Sequence, residues 1–335
     1  MKQTKYLFNP GRMSRQDNTL KFTPVDEDGT EGQPRFLPVE QVSDLYVFGS
    51  LDANSALYNF LGKEGIAVHF FDYYEHYTGS FMPREYLLAG KMQVEQTKHY
   101  LSARKRIEVA QAFVEGAACN ILRVLKYYNN RDRDFTEAIA TIDKLMLNVP
   151  TATDIPMLMG IEGNIRQTYY GCFDAIVGET FTMGGRSKRP PQNELNALIS
   201  FGNMLCYTAC LGMIYHTQLN PTISFLHEPG ARRYSLALDM AEIFKPILID
   251  RLIFRMVNKR QLQASDFRVE TSGCVMKEAA RKRFLQEFDA SLKETIKHRA
   301  LGRSVSYKYL IKLECYKLQK HLLGMETYRP FKAWW

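Results

Sequence analysis

The 335-residue chain contains no CxxC pair, and its six cysteines follow no regular spacing. That leaves neither a thiolate metal site nor a disulfide framework to organise the fold, so we expect reduced thiols in a cytoplasmic protein. The N-terminus, MKQTKYLFNP, lacks the apolar core of a signal peptide. There is no P-loop pattern, no GxGxxG after a strand and no GxSxG elbow, so an energy-independent phosphoryl transfer is better supported than an ATPase. Internal repeats and low-complexity segments are missing too. Only one long run lacks charge, Ala197 to Tyr215. Ser200, Asn203 and Thr208 interrupt it and no second such run follows, so we read a buried helix in a helical domain rather than a membrane span.

Hydrophobic residues make up 45% of the chain and charged residues 24%, a globular composition, and the length suits two domains. The net charge of +8 is concentrated. From residue 251 to the end there are 19 Lys and Arg against 8 Asp and Glu, whereas the preceding part is slightly acidic. A concentrated positive surface suits a polyanion, because each neutralised phosphate releases counterions; solvated helix faces are the plainer explanation of the same charge.

An α+β architecture is expected: a small, mainly antiparallel N-terminal β domain over residues 1–84, then a larger all-α domain over 85–335. KYLFNPG, TLKFTPV, RFLPVEQVSDLYVFG, IAVHFFDYY and YTGSFMP carry β-branched and aromatic residues bounded by Gly, Pro and Asp. Between two of them, DANSALYNFLGKEG has the apolar spacing of a short helix, with Leu57, Phe60 and Leu61 on one side. From about residue 85 onward good helix formers dominate and strong breakers are few. Two loops stand out there, TMGGRSKRPPQ and NPTISFLHEPGA. The first joins Gly-Gly to Arg186, Lys188 and Arg189, which suits phosphate contact, although many basic loops are merely exposed.

Glu162 follows a run of apolar residues, so its helix is expected to be mostly buried, with Arg166 at i+4 and Tyr169 at i+7 on the same face. A surface Glu–Arg pair is the plain alternative, yet a buried carboxylate needs a cation or a metal to stay charged. Further on, Asp239 and Glu242 lie i,i+3 on a helix starting near Arg233, with His227 in the loop ahead of it. Local hydrogen bonds would satisfy any of these three singly. Together, one imidazole and two or three carboxylates from two helices make an oxygen-rich site suited to Mg²⁺ or Mn²⁺ rather than zinc. Beside a basic surface, phosphodiester chemistry on nucleic acid is the natural substrate class.

At MGIEGNIRQTYY, SKRPPQNELNALISFG and FLHEPGARRYSLALDMAEIFKP, in that order, the chain resembles the CRISPR-associated protein 1 family, the integrase of spacer acquisition. The likeness extends from YLFNPGRMSRQDNTLKF at the start to YKLQKHLLG near the end, and is nearest to the members that accompany type I systems. The resemblance implies a β-rich dimerisation domain and a helical catalytic domain. It implies metal ligands Glu162, His227 and Glu242, with Asp239 as a supporting acid. Arg166, Tyr169, Arg189 and Arg233 are placed near DNA phosphates, and Arg186, Lys188 and Arg232 join them as candidate DNA contacts. The implied reaction is Mg²⁺- or Mn²⁺-dependent transesterification, with endonuclease activity on branched DNA. Homodimers and the smaller CRISPR-associated protein 2 are the implied partners. A non-catalytic DNA-binding scaffold and a general branched-DNA repair nuclease are the alternatives. The tail YRPFKAWW is expected to close a groove on its own chain rather than recruit a partner.

Overall fold

The computed structural model describes the whole chain except residues 1, 27, 73, 75, 84–88, 132, 179–180, 231–233, 271–272, 299–300 and 335. It divides into two compact units, Met1–Leu87 and Leu88–Trp335. The domain boundary expected at residue 84 falls among residues 84–88, outside the described ones.

In the first unit, β1 (Gln3–Leu7), β2 (Gly11–Gln16), β3 (Thr19–Pro24), β4 (Arg35–Pro38), β5 (Val42–Val47) and β6 (Leu51–Asp52) precede helix α1 (Ser55–Lys63). Strands β7 (Ala67–Phe71) and β8 (Tyr77–Phe81) follow it. One sheet has the order β1-β5-β7-β8 and the other β4-β3-β2-β6. Leu20, Val42, Leu45, Leu57, Leu61, Ile66 and Val68 form the core. The side chain of Asn54 caps α1 by accepting from the Leu57 N–H at 3.0 Å.

Two sequence expectations are corrected here. The strand pairing is mixed, not mainly antiparallel: β1–β5, β5–β7 and β2–β6 run parallel. The α1 crossover returns β7 alongside β5 in the same direction, which a tight hairpin cannot do. The segment expected as one strand around RFLPVEQVSDLYVFG is two, because a turn of 3₁₀ helix after Pro38 sends β4 and β5 to different sheets. Strand β2, GRMSRQ, escaped sequence reading because only Gly11 and Met13 of its residues are buried.

The second unit begins with α2 (Gly90–Leu101), α3 (Ala103–Asn129), α4 (Thr136–Leu147), α5 (Ile155–Tyr170) and α6 (Phe173–Val177). It continues with α7 (Glu194–Tyr215), α8 (Ser235–Lys245), α9 (Arg251–Asn258), the hairpin β9 (Phe267–Glu270) and β10 (Gly273–Met276), and α10 (Glu278–Lys293). A second hairpin, β11 (Thr295–Lys297) and β12 (Ser304–Ser306), and α11 (Tyr307–Leu322) complete it. The all-helical expectation is thus corrected by two hairpins. In β10 the buried Cys274 and Met276 fix the inward face, and Gly273 supplies φ +114° at the start of the strand.

Helix α7 is the only helix among the described residues long and apolar enough to cross a membrane, and 78% of its apolar window is buried inside the protein. It packs against α8, and α3 packs against α8 from another side. Between α8 and α9 lies one π-helical segment, Pro246–Asp250. Pro246 has no N–H to offer the preceding turn, which is the local reason for the widened ladder.

Candidate active site

Three elements of the second unit converge. Helix α5 is set by Asp154, whose side chain accepts from the Met157 N–H at 2.8 Å, with Pro156 in its first turn. Only one face of α5 is buried: Leu158, Ile161, Ile165, Arg166 and Tyr169 point inward, while Met157 is 45% exposed, contrary to the mostly buried helix expected. Glu162 sits at the edge of that face and accepts from Arg166 Nε at 2.9 Å.

Arg166 also donates through Nη2 to Glu242 Oε2 on α8. The other oxygen of Glu242 accepts from Lys245 Nζ at 2.5 Å. An alternating chain Glu162–Arg166–Glu242–Lys245 results, with side chains between 9% and 17% exposed. Burial alone would raise the Glu242 pKa, but the charges of Arg166, Lys245 and His227 overcome it and hold the carboxyl at about 2. Lys245 is raised, since Glu242 outweighs its burial.

His227 is delivered by a loop held on every side. Gln96 of α2 donates to the carbonyls of Asn220 and Ile223 at 2.9 and 2.8 Å and accepts from the Asn220 N–H at 2.9 Å. Arg106 of α3 donates to the Phe225 carbonyl at 2.9 Å and pairs with Glu228 at 2.6 Å. From α8, the fully buried Asp239 accepts the N–H groups of Phe225, Leu226 and His227 at 2.7, 3.0 and 3.0 Å, and meets His227 Nδ1 at 2.8 Å. Burial lowers the imidazole pKa, but the Asp239 hydrogen bond and the charges of Asp239 and Glu242 raise it above the ordinary value.

Two participants were missed in the sequence. Lys245 carried a signal, its i,i+3 spacing from Glu242. Asp250, on the π segment, carried none, because only the fold turns it toward Arg166 and Tyr169. Burial pushes its carboxyl up to about 6 despite Arg166.

The proposed DNA contacts fare unevenly. Tyr169 is wholly buried, edge-on to Phe173 at 5.0 Å, so as placed it reaches no phosphate; its position on an inward-facing stripe of α5 is the reason. Arg166 spends its guanidinium on two internal carboxylates. Arg186 folds back onto α7, donating to Asn196 Oδ1 at 2.8 Å and Ser200 Oγ at 3.2 Å, rather than reaching outward. Lys188 and Arg189 are exposed, as expected of a contact loop. Arg232 and Arg233 lie outside the described residues.

The donors suit a hard divalent ion by chemistry: carboxylate oxygens from two helices, and an imidazole whose Nδ1 is taken by Asp239, leaving Nε2 as the remaining ring nitrogen. Among the described residues no three acidic or imidazole groups already stand as a ready cage. Arg166 and Lys245 supply the positive charge in their midst.

Fold and site together define a class: an α+β protein whose helical part carries a carboxylate–imidazole cluster interleaved with cations. The chain belongs to the CRISPR associated protein Cas1 family, whose model matches residues 5–290. A CRISPR-associated endonuclease Cas1 from Thermodesulfovibrio yellowstonii is 46% identical over 330 residues, covering 98% of this chain and 99% of its own. Among solved structures, a Cas1 protein from Thermotoga maritima is 36% identical with a TM-score of 0.86, covering 98% of this chain and all of the other. A casposase bound to integration product has a TM-score of 0.87 at 18% identity, covering 99% of this chain and 94% of the other, a likeness of fold alone.

Proposed function

We propose that this chain is a DNA integrase and endonuclease that inserts new spacers into a CRISPR array. Supporting it are family membership, relatives named as endonucleases, and above all one observation: Glu162 and Glu242, from two helices, meet across Arg166, and the charge of His227 acts on Glu242. Glu162, His227 and Glu242 would hold Mg²⁺ or Mn²⁺, which when bound supplies charge stabilisation for a phosphate under attack.

The chain's own residues do the rest. Asp239 fixes the imidazole in the Nδ1–H tautomer and anchors the loop through three backbone N–H groups. Arg166 and Lys245 keep the buried Glu242 ionised. Lys188 and Arg189 offer exposed cations to the DNA backbone. The 3′-hydroxyl of an incoming fragment forms a bond to phosphorus at the edge of a repeat, and the repeat strand's 3′-oxygen leaves with a proton. One phosphodiester replaces another, so no nucleotide energy is consumed, in keeping with a sequence without a P-loop.

A spacer has two ends, so two such sites at fixed separation are needed. We therefore assign the chain to a homodimer through its aromatic first unit, working with the smaller CRISPR-associated protein 2. The deciding assay joins a short duplex into a repeat-containing plasmid in Mg²⁺, Mn²⁺ or chelator, with and without that partner. Metal-dependent joining that is lost in Glu162→Ala, His227→Ala and Glu242→Ala is expected. Full joining in all three variants overturns the proposal, and DNA binding without joining under any metal favours the scaffold reading.

A further inference from the structure

The basic surplus of the last quarter is not absorbed by the site above, and part of it converges elsewhere. A cavity of about 330 Å³ opens between the C-terminal end of α3, the π segment, α9, α10 and the start of α11. Its apolar floor is Ile247, Leu248 and Leu252. Tyr127 and Tyr128 stand at its α3 side, their rings 5.1 Å apart and nearly perpendicular. Arg131 lies over the Tyr127 ring at 4.2 Å. Arg251 and Lys259 bring two more cations from α9 and the residue after it.

The one acid in the lining, Glu294, is met by Arg255 at 3.2 Å. Arg255 also pairs with Glu287 at 3.0 Å, so this local group, one cation and two carboxylates, adds no positive charge to the cavity. The positive field of the cavity therefore comes from Arg131, Arg251 and Lys259. Among the described residues no carboxylate pairs with Arg131 or Lys259, and Lys259 is exposed at the mouth. Tyr127 is 40% exposed although it is aromatic.

We propose that this cavity is a second nucleic-acid subsite that takes one nucleoside phosphate unit, its base stacked in the Tyr127–Arg131 layer and its phosphate held by Lys259 and Arg251. Size and chemistry agree. The volume lies at the lower end of small-ligand pockets, the ring and guanidinium supply a sequence-tolerant stacking surface, and the cations suit a phosphate. The inference deepens the proposed function and rests on it for the source of the nucleotide, an unpaired stretch of a DNA strand; a free nucleotide has the same chemistry. The π segment provides the physical link, since Ile247 and Leu248 floor this cavity while Asp250 acts on Arg166 in the site.

The test is binding by the full-length protein in chelator, so that no catalysis enters. A fluorescein-labelled single-stranded oligodeoxynucleotide is titrated by anisotropy against wild type, Tyr127→Ala and Lys259→Glu, each first matched to wild type in melting temperature and circular dichroism. Each variant is expected to weaken binding about tenfold, and Lys259→Glu to flatten the dependence of log K on log salt by about one. A strand carrying 5-iododeoxyuridine should photocrosslink to Tyr127 or Tyr128. In a parallel arm, dAMP is titrated alone: competition at Tyr127 identifies a free-nucleotide site, whereas oligonucleotide binding without it identifies a strand site, and either supports a nucleoside phosphate. Weakening in Lys259→Glu with wild-type binding in Tyr127→Ala means a general basic surface and overturns the proposal, as does wild-type binding in both. Wild-type protein that binds here yet joins no strands would sink the integrase reading and leave this one standing.

Discussion

His227 Nδ1 and Asp239 Oδ1 lie 2.8 Å apart, and the same carboxylate accepts three consecutive backbone N–H groups of the loop that carries the histidine. One buried acid thus sets the position, the tautomer and the basicity of the imidazole at once. Asp239→Asn keeps the shape but puts an amide NH₂ where acceptors are needed, leaving buried N–H groups unmatched. A loss on the order of 2–3 kcal/mol is expected, together with a His227 pKa shifted downward and Mn²⁺ affinity weakened roughly 10- to 100-fold. Denaturant unfolding, a histidine titration by NMR and metal titration check the three parts. An imidazole pKa unchanged by the substitution contradicts the assignment.

Arg166 bridges Glu162 and Glu242, so removing it leaves the buried Glu242 and the partly buried Glu162 without the cation between them. Arg166→Gln is expected to cost on the order of 3–5 kcal/mol at neutral pH. The Glu242 pKa is depressed to about 2, so its contribution is present above the unfolded value near 4.3 and is lost as pH falls toward 2. The gap between wild type and Arg166→Gln should therefore narrow between about pH 5 and pH 2. Because a divalent ion can replace the missing charge, Mn²⁺ should raise the variant's melting temperature more than that of wild type. A thermal-shift series with Mn²⁺ and with chelator decides this without any activity measurement.

What the sequence disclosed follows from how far apart the cooperating residues lie. Leu57, Phe60 and Leu61 on the buried side of α1 follow from local rules, and so does the long buried helix α7. Glu162 with Arg166 and Asp239 with Glu242 were visible as i,i+4 and i,i+3 pairs, but their joining through Arg166 spans 76 positions and no periodicity encodes it. Charge alone does not reveal whether a basic residue points outward: Arg186 folds back onto Asn196, while its neighbours Lys188 and Arg189 stay exposed. The parallel pairing of β1 with β5 depends likewise on long-range return of the chain, whereas alternation along each strand is local.

Asp250 gives a second, opposite pH dependence. Its folded pKa is raised to about 6 by burial, so the folded state binds this proton more tightly than the unfolded chain does. The stabilising contribution is complete below the unfolded value near 3.9 and is lost as pH rises through about 6. Asp250→Asn removes the cost of ionising a buried carboxyl. The variant should be more stable than wild type at pH 7.5, by about 2–3 kcal/mol, and nearly equal at pH 4. Urea unfolding at the two pH values measures the difference, and a variant less stable at pH 7.5 refutes the account.

The C-terminal tail packs on its own chain against the wall of the site. The buried Glu314 accepts from the Tyr328 hydroxyl at 2.7 Å and the Phe331 N–H at 3.0 Å. Asn120 of α3 donates to the Phe331 carbonyl at 3.2 Å and accepts from the Ala333 N–H at 2.8 Å. At Gly116 an added Cβ would come within 2.7 Å of Pro330, so a small residue is needed for the tail to lie this close to α3. Phe331 then stacks on Phe244 at 5.9 Å, two residues beyond Glu242 on α8. Phe331→Ala therefore opens a cavity behind the helix that holds the acid. It should cost about 3–5 kcal/mol and lower strand joining along with stability, whereas Lys332→Ala, which breaks only an exposed pair with Glu115, should change neither appreciably. Unfolding and joining measured on both variants separate a positioning role from a surface one: equal behaviour of the two would show that the tail merely lies on the surface.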